Sequence, residues 1–462
     1  MLVDELKSIV GDAACTSDPD ELLPHLTEWR DMFHGDALLM VSPDNTEEVS
    51  AIIKACAAAD TAVVPQGGNT GLCGGAIPDE SGQQVLLSLS KMNRIRSTAA
   101  NDFSMVVEAG CILADVQAAA REVGRFFPLS LAAEGSCQIG GNLSTNAGGI
   151  NVLRYGNARD QVLGLEVVLA DGTIWHGLRG LRKDTAGYDI KQLFIGSEGT
   201  LGIITAANLR LYPEVRDTQT AMLAIAGPKQ AVELLAEIRA SVADQLHAFE
   251  LIPDRAIRYL QRHMPAIQLP FAGEQPWYVL LETTLGRDAD HLETTLAAAL
   301  ENGLASDAVV AKNASEQEEM WRMRHSISEV QKFEGGSLKH DVSVPVGKIG
   351  QFIESAEAAV MKFMPDARIV AFGHVGDGNV HFNISQPKSW AEDSFYEKAA
   401  ALSDAIYEVV ASFDGSISAE HGIGQSKREA LRKYRPAEEI SVMKSIKAAL
   451  DPDNILNPGK VL

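Results

Sequence analysis

The chain has 462 residues, 46% apolar and 22% charged, and its formal net charge is −22. This length exceeds what a single hydrophobic core supports, so two or three domains are expected. The negative charge argues against nucleic acids and anionic membrane surfaces as partners, and it requires an anionic substrate to be met by locally concentrated positive charge.

The cysteines and the N-terminus indicate the cellular compartment. All five cysteines lie in the first third of the chain without C-x-x-C spacing, which predicts reduced thiols and no disulfide framework. The acidic start MLVDELKSIVGDAACTSDPDE lacks the features of a signal or transit peptide. No stretch approaches the ~18 uninterrupted apolar residues of a membrane span. We therefore expect a cytoplasmic protein, with a bacterial origin as the simplest interpretation.

Residues 37–66 predict a strand, a helix and a second strand. Asp44, Asn45 and Thr46 are suitable N-caps, and apolar residues recur at helical spacing from Val49 onward. The segment that follows, GGNTGLCGG (67–75), is neither the G-x-G-x-x-G nucleotide fingerprint nor a P-loop. A Rossmann domain and an NTPase are therefore not expected.

Three glycine-rich segments indicate a phosphate-bearing cofactor. They are residues 67–75, EGSCQIGGNLSTNAGG (134–149) and GSEGTLGIIT (196–205). Consecutive small residues allow backbone N–H groups to form an anion-binding nest. VLGLEVVLADGTIW (162–175) predicts two strands about an Asp-Gly turn. Three such loops among strands favour a large, extended cofactor over isolated turns.

The composition changes after residues 209–219, which predicts a domain boundary there. QTAMLAIAG, AFELIPD and WYVLLETT predict strands, and a helix is expected from Pro228 to Ala243. This alternation favours an antiparallel sheet covered by helices. The tail from Gln425 to Leu462 is predicted to be mostly helical.

GHVGDGNVHFN predicts a hairpin that carries two metal ligands. Strands at 369–372 and 380–384 would flank a turn at 376–379, with Val375 paired to Val380 and His374 facing His381. His381 and Asn383 would share one face, and Val380, Phe382 and Ile384 the other. We expect one face to pack in the core and the other face to carry the residues that take part in the chemistry.

A third ligand is expected from SAEHGIG. Residues 416–418 predict a short strand that delivers Glu420 and His421. Two histidines and a carboxylate commonly bind a divalent ion that keeps open positions for substrate. Zn²⁺ is the preferred ion, and Mn²⁺ or Co²⁺ would fit nearly as well. The alternative is that these histidines are hydrogen-bonded structural residues.

WRMRHSISEVQKFEGGSLKHDVSVP (321–345) concentrates positive charge. Arg324 and Ser328 are spaced i, i+4 and share a helical face. Arginine offers a planar fork for a carboxylate, and Lys339 offers a compact charge. Taken alone, this pattern is equally consistent with a solvated charged face.

Together these motifs resemble a known flavoprotein family. PQGGNTGLCGGA, GGNLSTNAGGINVLRYGNARDQVLGLEVVLADG and DIKQLFIGSEGTLGIIT are similar to the flavin domain of the vanillyl-alcohol oxidase type, also called the PCMH type. GHVGDGNVHFN, SAEHGIG and DPDNILNPGK narrow the resemblance to the FAD-dependent D-2-hydroxyacid dehydrogenases. It runs from about residue 37 to the C-terminus.

The resemblance implies an α+β architecture in three parts. Residues 1–215 would form a PCMH-type FAD-binding domain with two subdomains, and residues 216–420 an antiparallel-sheet cap that binds substrate and metal. Residues 421–462 would form a helical segment packed on the FAD domain.

The resemblance also implies the residues that bind a dissociable FAD. No histidine lies in the first loop, and Cys73 and Cys137 are expected to be packing residues rather than attachment points. The implied cofactor residues are Pro65, Gln66, Gly67, Gly68, Asn69, Thr70, Gly71, Ser136, Gly140, Gly141, Ser144, Thr145, Asn146, Gly149, Glu198, Gly199, Gly202, Ile204 and Asn457.

The expected activity is oxidation of a D-2-hydroxyacid to a 2-oxoacid with hydride transfer to flavin N5. His374, His381 and Glu420 would hold the metal, and His421 would be the general base. The substrate would be bound by Arg324, Ser328, Lys339 and Asn383. His340 is expected to be structural. Retention of both Arg324 and Lys339 favours a diacid, D-2-hydroxyglutarate.

Two alternatives remain open from the sequence. D-lactate or glycolate oxidation would leave one cationic group without a partner, and a non-catalytic flavin-binding subunit would not need the metal ligands. NAD is not expected as electron acceptor, which leaves an electron-transfer flavoprotein or a quinone. A homodimer is expected from the resemblance.

Overall fold

The chain forms two compact units in a computed structural model that describes residues 1–215, 217–271, 273–284 and 291–462. The first unit comprises Met1–Gly148, Tyr155–Glu214 and Glu420–Leu462, and the second comprises Gly149–Arg154 and Val215–Ala419. The C-terminal segment therefore belongs to the first unit. Arg216, at the expected domain boundary, lies outside the described residues.

The first 214 residues alternate short strands with short helices. The strands are β1 (Cys15–Thr16), β2 (Leu39–Val41), β3 (Val63–Gln66), β4 (Val85–Ser88), β5 (Ile95–Ala99), β6 (Ser104–Glu108), β7 (Arg125–Phe126), β8 (Val162–Val168), β9 (Ile174–Gly177), β10 (Ile203–Arg210) and β11 (Tyr212–Pro213). The helices are α1 (Leu2–Val10), α2 (Pro19–Leu26), α3 (Thr46–Ala58), α4 (Leu113–Glu122), α5 (Ile139–Ser144), α6 (Val152–Tyr155) and α7 (Lys191–Phe194).

Two sheets form the framework of the first unit. One has the order β1-β2-β4-β3 with a parallel core, and the other is antiparallel with the order β5-β6-β10-β8-β9. The predicted strand–helix–strand is confirmed in β2, α3 and β3, and Asn45 caps α3 by accepting a hydrogen bond from the Glu48 backbone. The predicted hairpin about Asp171-Gly172 is confirmed in β8 and β9.

The second unit contains two antiparallel sheets with covering helices. Its strands are β12 (Thr218–Ile225), β13 (Leu246–Pro253), β14 (Trp277–Thr284), β15 (Asp307–Val310), β16 (Ser337–Ser343), β17 (Arg368–Phe372) and β18 (Asn379–Ser385). The helices are α8 (Pro228–Val242), α9 (Asp254–His263), α10 (His291–Glu301), α11 (Ala314–Val330), α12 (Ile349–Phe363), α13 (Glu392–Tyr396) and α14 (Ala399–Ser412), followed in the first unit by α15 (Arg428–Tyr434) and α16 (Ala437–Leu450).

The sheet orders of the second unit are β13-β14-β12-β15 and β16-β18-β17. The predicted antiparallel sheet covered by helices is therefore confirmed. One apolar core joins α9 and α11 to β12, β14 and β17. All five cysteines are free, as the sequence predicts. In the described part of the chain, no helix combines the length and the apolar character needed to span a bilayer.

Candidate functional site

The first unit contains a cavity whose walls come from the three glycine-rich segments. The cavity is partly open, and its empty space, including the open solvent at its mouth, is about 880 Å³. The lining residues are Pro65, Gln66, Gly67, Gly68, Asn69, Thr70, Gly71, Cys73, Gly75, Ala76, Leu89, Cys137, Gln138, Gly140, Gly141, Asn142, Ser144, Thr145, Glu198, Gly199, Gly202, Ile203, Ile204 and His421.

Residues 67–71 follow β3 and line the cavity, with residues 67–70 half-buried and Gly71 exposed. Asn69 has φ 51°, in the left-handed region. Among the described residues, none accepts a hydrogen bond from the backbone N–H groups of 67–71. A Cβ at Gly68 would lie 2.1 Å from the Ser136 carbonyl oxygen, so only glycine allows this approach. The loop therefore has the properties of an anion-binding nest.

Buried amide oxygens face the same cavity wall. The Gln138 Oε1 and Asn142 Oδ1 atoms are buried and make no hydrogen bond within the described part of the chain. An unsatisfied buried acceptor costs about 1–3 kcal/mol. Both atoms therefore suit a bound molecule that brings hydrogen-bond donors.

Glu198 connects the third glycine-rich segment to the C-terminal segment of the same unit. Its carboxylate accepts hydrogen bonds from the backbone N–H groups of Ile423 at 2.7 Å and Gly424 at 2.8 Å. Burial raises the pKa of Glu198, and these two hydrogen bonds oppose the rise. Asn457 donates to the Glu198 carbonyl at 2.7 Å and to Gly75 at 2.9 Å. These bonds hold the cavity wall in place.

Most of the predicted cofactor residues line this cavity. The exceptions are Ser136, Asn146, Gly149 and Asn457. Gln138 and Asn142, which the sequence analysis missed, lie in the second predicted segment at the i, i+4 spacing of one helical face. That spacing could have identified them.

Cys73 and Cys137 are buried in the cavity wall. Burial raises the pKa of both thiols, so their thiolate forms are disfavoured. The packing role predicted for them agrees with this environment.

His421, the predicted general base, also lines the cavity. The preceding residue, Glu420, lies against Gly148, where a Cβ would be 2.4 Å from the Glu420 Oε1 atom. The chain reaches these residues differently from the prediction, because 416–418 is not a strand. Ser416 forms an isolated bridge with Ser343, through two backbone hydrogen bonds. The glycines on both sides allow the chain to turn before a ladder can form.

The hairpin register predicted for the two histidines is wrong. β17 ends at Phe372, which pairs with His381, so neither the His374–His381 pair nor the Val375–Val380 pair exists in the ladder. Gly373, at φ 132°, turns the chain away from β18 and pairs instead with Leu251 of β13. The imidazole rings of His374 and His381 still lie 5.3 Å apart between centroids, at 78° to each other.

The predicted packed face of β18 is confirmed, and the chemical role of its other face stays a prediction. Val380, Phe382 and Ile384 are fully buried. On the other face, Asp341 pairs with His381 and Lys339 pairs with Asn383.

Glu250 on β13 lies at the centre of a charged cluster in the second unit. Its carboxylate accepts hydrogen bonds from Arg324 at 2.7 Å and contacts the Nδ1 atom of His374. Arg324 is only 6% exposed and lies over the Phe372 ring at 4.9 Å. Burial would raise the pKa of Glu250, but the Arg324 and His374 charges and hydrogen bonds outweigh it and lower this pKa to about 2. The sequence analysis missed Glu250, because no motif marks it.

Asp341 is a second acid of this cluster that the sequence analysis missed. Its Oδ1 atom lies 3.7 Å from Nδ1 of His381 and accepts a hydrogen bond from Asn379 at 2.8 Å. Asp341 lies directly opposite His381 in the pairing of β16 with β18, and only knowledge of that pairing could have identified it.

The four predicted substrate-binding residues lie in different surroundings. Arg324 is paired with Glu250, and the Asn383 amide donates to Gln331 at 3.1 Å. Lys339 is half-buried and Ser328 is exposed on α11. His340 lies next to the Phe382 carbonyl at 3.1 Å and the Ser403 hydroxyl at 2.9 Å, in agreement with its predicted structural role.

Two protein-family models match the chain. Residues 37–177 match the FAD binding domain, and residues 214–461 match the C-terminal domain of FAD linked oxidases. Among solved structures, p-cresol methylhydroxylase aligns with a TM-score of 0.79 at 16% identity, over 100% of this chain and 96% of that chain. Alkyldihydroxyacetonephosphate synthase aligns with a TM-score of 0.75 at 17% identity, over 99% and 84%. These structures show that the fold is the predicted PCMH-type fold, and the class is that of FAD-linked oxidases.

Proteins related in sequence indicate a narrower family than the fold does. The chain is 38% identical over 466 residues to D-2-hydroxyglutarate dehydrogenase, mitochondrial, of Arabidopsis thaliana, covering 100% of this chain and 81% of that protein. It is 37% identical over 466 residues to D-2-hydroxyglutarate dehydrogenase of Stutzerimonas stutzeri (strain A1501), covering 100% and 98%. The chain belongs to the family of FAD-dependent D-2-hydroxyacid dehydrogenases.

The residues that match the FAD binding domain include two of the three glycine-rich segments of this cavity, which makes the cavity the candidate FAD site. The nest at 67–71 suits a pyrophosphate. The orphan oxygens of Gln138 and Asn142 suit the hydroxyl, imide and amino donors that FAD carries. The residues present therefore fit the cofactor.

Proposed function

We propose that this enzyme oxidises D-2-hydroxyglutarate to 2-oxoglutarate. The observation that carries the proposal is the full-length similarity to plant and bacterial proteins named D-2-hydroxyglutarate dehydrogenase. Residues 1–215 would bind a dissociable FAD, residues 216–420 the substrate and a metal, and residues 421–462 would complete the FAD domain.

The reaction removes a hydride from C2 of the substrate and a proton from its 2-hydroxyl group. When bound, FAD supplies a two-electron acceptor, and N5 is the atom that takes up the hydride. His421 would accept the hydroxyl proton as general base. Its position in the wall of the FAD cavity supports this role.

A divalent ion, preferably Zn²⁺, would be held by His374, His381 and Glu420. Such an ion lowers the pKa of a bound hydroxyl as a Lewis acid. Nδ1 of His381 lies 3.7 Å from the Asp341 carboxylate. Nδ1 of His374 is in hydrogen-bond contact with the Glu250 carboxylate, which supports the role of His374. That arrangement favours the tautomer that ligates a metal through Nε2.

The substrate carboxylates would be recognised by Arg324 and Lys339, with Ser328 and Asn383 as hydrogen-bonding partners. Both cations are needed only by a diacid. The alternatives, D-lactate and glycolate, have one carboxylate and would use only one of these two cations.

The reduced enzyme would pass its electrons to an electron-transfer flavoprotein or a quinone. We further propose a cytoplasmic homodimer, as the sequence resemblance implies.

Anaerobic flavin bleaching tests the proposal. The FAD-loaded enzyme is mixed with D-2-hydroxyglutarate, D-malate, D-lactate or glycolate, each with and without a chelator. We expect fastest bleaching with D-2-hydroxyglutarate and its loss with the chelator. Bleaching by D-lactate but not by D-2-hydroxyglutarate would refute the substrate assignment, and chelator-insensitive turnover would refute the role of the metal.

A further inference from the structure

Glu250 is a buried carboxylate that contacts two groups with different roles in the proposed function. Its side chain is 1% exposed. Oε2 accepts hydrogen bonds from Arg324 at 2.7 Å, and Oε1 faces Nδ1 of His374. Each oxygen atom of the carboxylate therefore serves one neighbour.

The backbone brings Glu250 and His374 together independently of their side chains. Leu251 and Gly373 exchange two backbone hydrogen bonds, of 2.9 and 3.1 Å. Glu250 directly precedes Leu251, and His374 directly follows Gly373. The bridge between β13 and the end of β17 therefore sets their separation.

Contact with Glu250 determines the tautomer of His374. A hydrogen bond to a carboxylate requires the proton to be on Nδ1, which places the lone pair on Nε2. Carboxylates that orient metal-binding histidines in this way commonly change metal affinity by about 10–100-fold.

The same carboxylate also holds one edge of the Arg324 guanidinium. That edge consists of Nε and Nη2, and Phe372 packs against the guanidinium plane. With one edge bound and the plane supported, the direction of the remaining donors is set before a substrate arrives.

We propose that Glu250 is a positioning residue that orients the metal-binding imidazole of His374 and the substrate-binding guanidinium of Arg324 together. The inference rests on the roles given to these two residues in the proposed function. It implies that removing one buried carboxylate weakens metal binding and substrate binding at the same time.

Glu334 provides a matched control in the same unit. Its side chain is 4% exposed, and it also bridges arginine and histidine side chains, Arg262, Arg368 and His263. None of these three residues has a role in the proposed function. A purely structural effect of losing a buried, paired carboxylate should therefore be similar for Glu250 and Glu334.

The test compares FAD-loaded wild type, Glu250→Gln and Glu334→Gln. Chelator competition measures the Zn²⁺ dissociation constant. KM and kcat for D-2-hydroxyglutarate are measured at saturating Zn²⁺, and Tm is measured by calorimetry. For Glu250→Gln we expect a Zn²⁺ dissociation constant about 10–100-fold higher and a higher KM at saturating Zn²⁺. For Glu334→Gln we expect a change in Tm alone. Unchanged Zn²⁺ affinity and KM in Glu250→Gln, or equal changes in Glu334→Gln, would overturn the proposal.

Arg324→Lys is a second variant that keeps both buried charges. A lysine cannot use the two-atom edge of a guanidinium, so KM should rise while the Zn²⁺ dissociation constant stays near the wild-type value. An unchanged KM would count against the proposal. A wild type that binds no Zn²⁺ and oxidises only monoacids overturns the proposed function and this inference together. A wild type that behaves as proposed beside an unaltered Glu250→Gln overturns this inference alone.

Discussion

The candidate sites of the two units are built from different kinds of chemical groups. The FAD cavity of the first unit is formed largely by glycines, backbone N–H groups and neutral amides. The cluster of the second unit consists of charged side chains from α11, β13, β16 and β18 and from the loop after β17. Backbone recognition depends on close approach and is sensitive to added atoms. Side-chain recognition depends on paired charges and is sensitive to the loss of one partner.

The largest expected effect comes from His421→Ala. Loss of a general base typically lowers the rate by about 10²–10⁴-fold. The rate constant of anaerobic flavin bleaching at saturating D-2-hydroxyglutarate measures the effect, with FAD content as the control for the cavity. A rate within twofold of wild type would remove His421 from the mechanism.

Arg324→Met should produce the largest loss of stability. It leaves the fully buried carboxylate of Glu250 without its arginine, and removing one partner of a buried pair costs about 3–5 kcal/mol. Arg322→Met is the control on the same helix. Its side chain is 51% exposed and pairs with Glu319, so little or no loss of stability is expected. Urea unfolding of both variants measures the difference, and equal losses would contradict the charged-cluster interpretation.

Gly68→Ala should destabilise the first unit by overpacking. The added Cβ would lie 2.1 Å from the Ser136 carbonyl oxygen, and such strain costs about 1–3 kcal/mol. We expect a lower FAD-to-protein ratio and a lower Tm. Gly135→Ala is the control, because a Cβ there meets nothing within 4 Å. Normal FAD content in Gly68→Ala would show that the loop has room to move.

The last prediction concerns pH: Lys460→Met should change how the stability of the first unit depends on pH. Burial lowers the pKa of Lys460 from 10.5 to about 8, with Asp79 opposing the shift and Arg428 adding to it. Lys460 therefore binds its proton more tightly in the unfolded chain than in the folded chain. The resulting loss of folding stability is complete below about pH 8 and disappears as the pH rises through 10.5. The variant should be more stable than wild type at pH 7, because it removes a cation whose charged form is disfavoured by burial in the folded chain.

Urea unfolding between pH 7 and pH 11 measures this effect. The stability gap between Lys460→Met and wild type should close as the pH rises. A gap that does not depend on pH would indicate a packing effect rather than a titration.

Much of the first unit could be predicted from local patterns. The Asn45 cap, the Asp-Gly turn and the glycine-rich segments act within a few residues, so the cavity wall follows closely from them. The exceptions are instructive. Ser136 contributes its own carbonyl oxygen beside Gly68, and Asn457 contributes a side-chain amide that donates to Glu198 and Gly75. Gln138 and Asn142 were missed although their helical spacing was visible.

The sequence by itself determined the antiparallel character of the second unit and the packed face of β18, because both follow from hydrophobic periodicity over short stretches. It indicated the cofactor class through the family resemblance of its glycine-rich motifs. Only the tertiary structure decided the environment of His374, because Gly373 leaves β18 to pair with Leu251. The resulting Glu250 cluster joins residues that are far apart in the chain. The buried carboxylate of Glu250 is stable in the folded chain because Arg324 and His374 pair with it.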